Sequence, residues 1–170
     1  SLGVMKAGAV IVPLSNDYPE ARKKYIEENC NAKVVITDDF FDDIDKYEKY
    51  INLADDKSKV MLFYTSGSTG NPKGVIYGVD SFANIMVAQG ELVGGSEVGS
   101  IACLPPFYFV ISLILIYPVL LLGRTIHILS DEVRFSIEIL LNYFKENNVD
   151  LSFIPVQVLK SIKNVKIPLK

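Results

Sequence analysis

The fold of this chain is decided by residues 60–74, Val60-Met61-Leu62-Phe63-Tyr64-Thr65-Ser66-Gly67-Ser68-Thr69-Gly70-Asn71-Pro72-Lys73-Gly74. The first five of these residues are apolar or aromatic and predict a strand over Val60–Tyr64. Glycine, serine and threonine follow, so backbone N–H groups and hydroxyls can approach an anion closely, and Lys73 adds a mobile positive charge. An apolar strand that ends in such a loop is suited to bind a polyphosphate.

The loop differs from a Walker loop, which ends in Gly-Lys-Ser or Gly-Lys-Thr. Here Lys73 is preceded by Pro72 and followed by Gly74. Composition by itself leaves a second interpretation open, because clusters of glycine and serine also mark flexible surface turns.

Short β-like runs alternate with helix-like segments on both sides of this loop. Strands are also predicted at Ala9–Leu14, Lys33–Thr37, Gly74–Tyr77, Ile101–Leu104, Thr125–Leu129 and Asp150–Ile154. Helices are predicted at Pro19–Asn29, Ser81–Leu92, Val110–Leu122, Ser136–Asn147 and Val156–Ile162, with Asp17 and Ser81 as possible caps of the first two. This alternation indicates an α/β fold with a largely parallel, layered sheet.

Composition excludes several classes of protein. The chain has 170 residues, 49% of them hydrophobic, and a formal charge of −3, which argues against disorder and against a nucleic-acid partner. Its length is that of one ordinary domain. Cys30 and Cys103 are too few for a disulfide framework in a chain of this size, and they indicate reduced thiols in a cytoplasmic protein.

The high mean hydropathy, +0.27, is concentrated in Ile101–Gly123, where no residue is charged. A membrane span needs about 20 apolar residues, and Pro105, Pro106 and Pro118 interrupt this stretch. A buried strand followed by a buried helix is therefore predicted, with a membrane-associated protein as the weaker alternative. Residues 1–14 show no secretory signal.

The unbroken string Tyr64–Gly74 resembles the phosphate-binding signature of the adenylate-forming superfamily, which includes peptide-synthetase adenylation domains, acyl-CoA synthetases and luciferases. Leu2–Ala9 and Tyr18–Arg22 look like the segment that precedes this loop in peptide-synthetase adenylation domains. Phe109–Ser112 resembles, more weakly, the family's Phe-Asp-x-Ser region. The resemblance implies part of an acetyl-CoA synthetase-like N-terminal domain.

The resemblance implies a ligase that uses ATP and Mg²⁺ to convert a carboxylic acid to an acyl-adenylate with release of pyrophosphate. A carrier-protein thiol or coenzyme A then accepts the acyl group. The implied contacts with the β- and γ-phosphates come from Thr65, Ser66, Gly67, Ser68, Thr69 and Gly70. Thr69 would also help hold Mg²⁺, and Lys73 would act as the catalytic residue that offsets charge on the leaving pyrophosphate.

The chain departs from this family in the region expected to bind the acid. Val110 stands where amino-acid activators carry an aspartate for the substrate's ammonium group, which favours an aryl, hydroxy or fatty acid. Phe109 and Val110 are the expected substrate pocket, although the Tyr18–Arg22 match favours the peptide-synthetase branch. His127 is the sole histidine and is expected to be a structural side chain on its strand.

Residues 1–170 do not contain the family's further motifs for adenine, ribose and the late lysine. Residues 1–170 are therefore expected to be a single partial AMP-binding domain without the C-terminal lid domain, inactive alone. The alternative is a non-catalytic α/β nucleotide-binding or interaction module. If missing parts normally cover Ile101–Gly123, the chain by itself is expected to form a homodimer or to aggregate.

Overall fold

The computed structural model describes residues 1–37, 40, 52–55, 57–67, 70–93 and 98–161. The helices are α1 (Leu2–Lys6), α2 (Glu20–Asn29), α3 (Val79–Val93), α4 (Val110–Leu121), α5 (Asp131–Phe135), α6 (Ile137–Glu146) and α7 (Val156–Ser161). The strands are β1 (Lys59–Thr65), β2 (Lys73–Gly78), β3 (Ser100–Cys103), β4 (Thr125–Ile128) and β5 (Leu151–Ser152). The chain divides into two units, Ser1–Phe82 and Ala83–Lys170.

The first unit is built around an antiparallel hairpin of β1 and β2. Met61 and Phe63 point into its core and are 1% and 4% exposed, as expected from the alternation of side chains along a strand. Ile11 makes an isolated parallel bridge to Met61 on the other side of β1. The hairpin therefore has its buried strand in the middle, and its turn carries the Gly/Ser/Thr loop.

Two of the strands predicted in the first unit do not form. Ala9–Leu14 is reduced to the single bridge at Ile11, and Lys33–Thr37 belongs to neither sheet. Val34–Ile36 has the composition of a strand, but its three side chains are 65%, 54% and 46% exposed. A β-branched run is only a strand when another strand satisfies its backbone, which composition does not specify.

The predicted helices are confirmed, and α4 and α7 begin at the predicted residues, Val110 and Val156, whereas α2 and α3 do not. α2 begins at Glu20, and Pro19 rather than Asp17 occupies the N-cap position. α3 begins at Val79, so Ser81 lies inside the first turn and is not the cap. α1 and α5 were not predicted; each has only five residues, too few for a periodic pattern.

The second unit contains a three-stranded parallel sheet in the order β4-β3-β5. All four residues of the central strand β3 are buried, as expected for a strand with neighbours on both sides. Ile101 packs with Val119 of α4, whereas Ala102 packs with Leu104, Leu129 and Leu140. This sheet, with helices on it, confirms the predicted α/β fold class.

Helix α4 accounts for much of the apolar surplus. It buries side chains almost all round, including Ser112, Leu113, Leu115, Ile116, Tyr117, Pro118 and Val119. The prediction of a buried helix is wrong at its end, because Leu120, Leu121 and Leu122 are 42%, 73% and 44% exposed. In the part of the chain that the structure describes, no helix has the length and hydropathy to cross a membrane.

The Asp150 carboxylate fixes the start of the central strand. Its Oδ2 accepts hydrogen bonds from the backbone N–H groups of Gly99 and Ser100, each at 2.9 Å, and from Ser100 Oγ at 3.2 Å. Because hydrogen bonds to a charged acceptor are the stronger ones, we expect Asp150→Ala to lower the free energy of unfolding by about 1 to 2 kcal/mol. Urea denaturation measures this, with Glu146→Ala, at the end of α6, as the control that should change little. Equal stability of the two variants would contradict it.

Candidate phosphate-binding site

The candidate site is the turn of the β1–β2 hairpin. Thr65 and Lys73 are paired in register as the last residue of β1 and the first of β2, and Thr65 Oγ1 donates to the Lys73 carbonyl at 3.5 Å. This pairing holds together the two ends of the loop, residues 66–72. Lys73 was predicted to precede its strand, but the ladder extends to include it.

Close backbone approach explains the glycine at position 67. A Cβ atom there would overlap the Asn71 carbonyl oxygen and would lie 3.3 Å from Lys73 Cγ. The loop closes further through a hydrogen bond from the Gly70 N–H to the Gly67 carbonyl at 3.2 Å. Gly70 has φ +91°, which side chains rarely permit. The loop is therefore compact, and the stem of the Lys73 side chain lies beside Gly67.

The described donors of this loop are accessible. Thr65, Ser66, Gly70 and Lys73 are exposed to solvent, so two hydroxyls and an ammonium group can be reached by a ligand at this turn. This donor set suits phosphate oxygens, which accept hydrogen bonds and carry negative charge. The structure brings these predicted residues together with Gly67.

Two predicted residues, Ser68 and Thr69, lie outside the described residues. The proposed contact of Thr69 with Mg²⁺ therefore stays a prediction. Among the described ranges, no three His, Cys, Asp or Glu side chains gather as they would for a protein-held metal ion.

Helix α2 makes two contacts with the hairpin that the sequence did not reveal. Tyr25 Oη donates to the Pro72 carbonyl at 3.4 Å, and Tyr64 Oη donates to Asn29 Oδ1 at 2.6 Å. The four-residue spacing of Tyr25 and Asn29 places them on one helix face. That spacing alone would not have identified the loop as their partner.

The predicted acyl-pocket residues lie in the second unit. Phe109 occupies the N-cap position of α4 and Val110 is its first residue, and they are 54% and 36% exposed. The Tyr108 and Phe109 rings lie 5.1 Å apart. Ser112 Oγ donates to the Phe109 carbonyl at 2.8 Å and fixes this first turn. Two apolar side chains are thus exposed at the start of a helix whose middle is buried.

His127 has a partner on a neighbouring helix. It lies on β4, as predicted, and its Nδ1 is 3.1 Å from the Tyr143 hydroxyl of α6, with the two rings edge to face. Both side chains are half-buried. This contact joins a helix to the sheet and accounts for the histidine structurally.

Comparison with known proteins identifies a family over most of the chain. Residues 45–169 match the family described as AMP-binding enzyme. Surfactin synthase subunit 2 of Bacillus subtilis (strain 168) is 27% identical over 180 residues, which cover 92% of this chain and 5% of that protein. The chain thus spans a small part of this relative.

Solved structures show the same fold. The N-terminal subdomain of Klebsiella oxytoca NpsA, in complex with 3-hydroxyanthranilyl-AMSN, superimposes with a TM-score of 0.73 at 23% identity, over 96% of this chain and 44% of that one. The o-succinylbenzoate coenzyme A synthetase MenE of Bacillus subtilis, in complex with ATP and magnesium ion, gives a TM-score of 0.75 at 18% identity, over 97% of this chain and 48% of that one. The chain spans about half the length of each.

Proposed function

Since this chain belongs to the AMP-binding enzyme family, we propose that its protein activates a carboxylic acid with ATP. A carboxylate oxygen of the acid attacks the α-phosphorus, and the bond to the bridging oxygen breaks as pyrophosphate leaves. The product is an acyl-adenylate. A thiol then attacks the acyl carbon, forms a thioester and releases AMP.

The observation that carries this proposal is the compact, donor-rich turn of the hairpin. Hydroxyls of Thr65 and Ser66 and the backbone N–H group of Gly67 would bind the β- and γ-phosphates, while Gly70, whose N–H donates to the Gly67 carbonyl, would hold the loop closed. Lys73 begins β2 beside Gly67, so its ammonium group would offset the charge that develops on the leaving pyrophosphate. Donors fixed before the reaction begins are the most effective means of stabilising such charge.

Mg²⁺ fits this donor set if the phosphates supply most of its ligands. Mg²⁺ prefers hard oxygen ligands and is often bound through substrate phosphates and water, with few protein groups. The hydroxyl of Thr69 would be the protein's contribution. MenE, which is similar in fold, is solved with ATP and magnesium ion, and this supports the choice of metal.

The residues at the start of α4 favour an acid without an α-ammonium group. Val110 offers no carboxylate to pair with one, and Phe109 beside it adds an exposed apolar ring. We therefore propose an aryl, hydroxy or fatty acid as substrate. The aryl-type compound bound to NpsA supports testing aryl acids first.

The acyl acceptor is proposed to be a carrier-protein thiol. The likeness to surfactin synthase subunit 2 over 92% of this chain supports the peptide-synthetase branch. The fold is shared equally with a coenzyme A synthetase, so coenzyme A is the acceptor to compare with it.

Acid-dependent exchange of labelled pyrophosphate into ATP, measured on the full-length protein, tests the reaction. We expect exchange with a benzoate-type acid, a hydroxy acid or a fatty acid, dependent on Mg²⁺, and little exchange with α-amino acids. Reactions without acid and with EDTA are the controls. Nucleotide binding without any exchange would indicate a non-catalytic module. Efficient exchange with an α-amino acid would show that the inference from Val110 is wrong.

A further inference from the structure

One face of helix α2 contacts both ends of the candidate phosphate loop. Tyr25 and Asn29 are four residues apart and so lie one above the other on the helix surface. Asn29 Oδ1 accepts from the Tyr64 hydroxyl at 2.6 Å, just before the loop. Tyr25 Oη donates to the Pro72 carbonyl at 3.4 Å, at the last residue of the loop.

The helix that makes these contacts is itself anchored. Ile26, next to Tyr25 in sequence, is fully buried at 0% exposure, so α2 packs into the core of the first unit. The Arg22 guanidinium lies 4.2 Å from the centre of the Tyr18 ring and adds a contact at the helix start. Because α2 is fixed by its packing, its side chains can hold the ends of the loop in place.

The surroundings of Tyr64 keep its hydroxyl available as a donor. Burial raises the pKa of the Tyr64 phenol above its usual value, and the nearby Cys30 thiol and Tyr25 phenol act in the same direction. The phenol therefore stays protonated across the neutral range and can donate to Asn29.

We propose that Asn29 and Tyr25 are positioning residues that hold the loop between Tyr64 and Pro72 in its phosphate-binding form. This inference rests on the proposed function, because it assigns the loop to ATP. A loop that is already ordered loses less conformational freedom when the phosphates bind. Loss of either contact should therefore weaken ATP binding more than it slows the chemical step.

A double-mutant cycle in the full-length protein tests this, with Asn29→Ala, Tyr64→Phe and the double variant. We expect each single change to raise the KM for ATP in pyrophosphate exchange about threefold, the size typical of one hydrogen bond, with kcat nearly unchanged. The double variant should match the singles, since both remove the same bond. Amide hydrogen exchange of residues 64–74, measured without nucleotide, should become faster in all three variants. A further variant, Tyr25→Phe, should show a smaller increase, because the hydrogen bond from Tyr25 to Pro72 is longer than that from Tyr64 to Asn29.

Glu28→Ala is the matched control, because Glu28 neighbours Asn29 on α2 and, among the described residues, its exposed side chain makes one ion pair, with Lys24 at 3.9 Å. It should alter neither the KM for ATP nor hydrogen exchange in the loop. If Asn29→Ala fails to fold, Tyr64→Phe still removes the bond and is judged by the same two measurements.

Unchanged hydrogen exchange in the loop, or additive effects in the double variant, would overturn the inference. Faster amide hydrogen exchange in the loop with an unchanged KM for ATP would overturn it as well, because the contact would then serve the structure and not ATP binding. A wild-type protein that exchanges no pyrophosphate with any acid would instead count against the proposed function, and the loop's hydrogen exchange would still decide whether α2 holds it.

Discussion

Lys73→Ala is expected to lower acid-dependent pyrophosphate exchange by about 100-fold or more while the protein stays folded. Lys73 begins β2 and is exposed, so replacing it with alanine leaves no cavity in the core. Loss of the Lys73 ammonium group should slow the chemical step, in which charge builds up on the leaving pyrophosphate. The effect should therefore fall mainly on kcat. Lys73→Arg retains the charge but not the geometry and should recover part of the rate.

Steady-state kinetics of exchange, with circular dichroism as the check on folding, measures this effect. Lys57→Ala is the matched control, because Lys57 is another exposed lysine, on the segment that leads into β1. It should leave kcat and KM unchanged. Full exchange activity in Lys73→Ala would remove Lys73 from the reaction, and an equal loss in both variants would point to a general effect of charge.

Gly67→Ala is expected to have the second largest effect. The new methyl group would overlap the Asn71 carbonyl oxygen, which belongs to the backbone and cannot rotate away as a side chain could. Relieving such an overlap costs about 1 to 3 kcal/mol. If the loop opens to relieve it, the KM for ATP should rise by about 10- to 100-fold.

Gly90→Ala provides the comparison for this substitution. Gly90 lies inside α3 with nothing within 4 Å of an added Cβ, so alanine there should be neutral or stabilising by up to about 1 kcal/mol. The KM for ATP and the thermal midpoint are measured for both variants. An unchanged KM in Gly67→Ala would show that the closed form of the loop is not the form that binds ATP.

The sequence predicted the hairpin strand and its loop because both signals are local. β1 extends only one residue beyond each end of the predicted Val60–Tyr64. The serine and glycine residues that flank this apolar run mark both ends of the strand in the sequence. Lys33–Thr37 shows where this fails. Its composition matches a strand equally well, but pairing depends on residues far away in the chain.

The contacts of α2 with the loop could not be predicted for the same reason. Asn29 and Tyr64 are 35 residues apart, and neither residue type signals the other. The prediction that the end of α4 is buried was wrong for a different reason. Ile111–Leu122 is apolar on every side, apart from Ser112, so it has no periodicity to show that Leu120–Leu122 would be exposed.

Oxygen transfer from the acid to AMP tests the central claim most directly. The full-length protein is given ATP, a thiol acceptor and an acid that supports pyrophosphate exchange. The carboxylate of this acid is labelled with ¹⁸O. Attack of the carboxylate on the α-phosphorus predicts that one labelled oxygen appears in each AMP, with pyrophosphate unlabelled. Label in inorganic phosphate with formation of ADP, or no transfer at all, would contradict the proposal that this protein forms an acyl-adenylate.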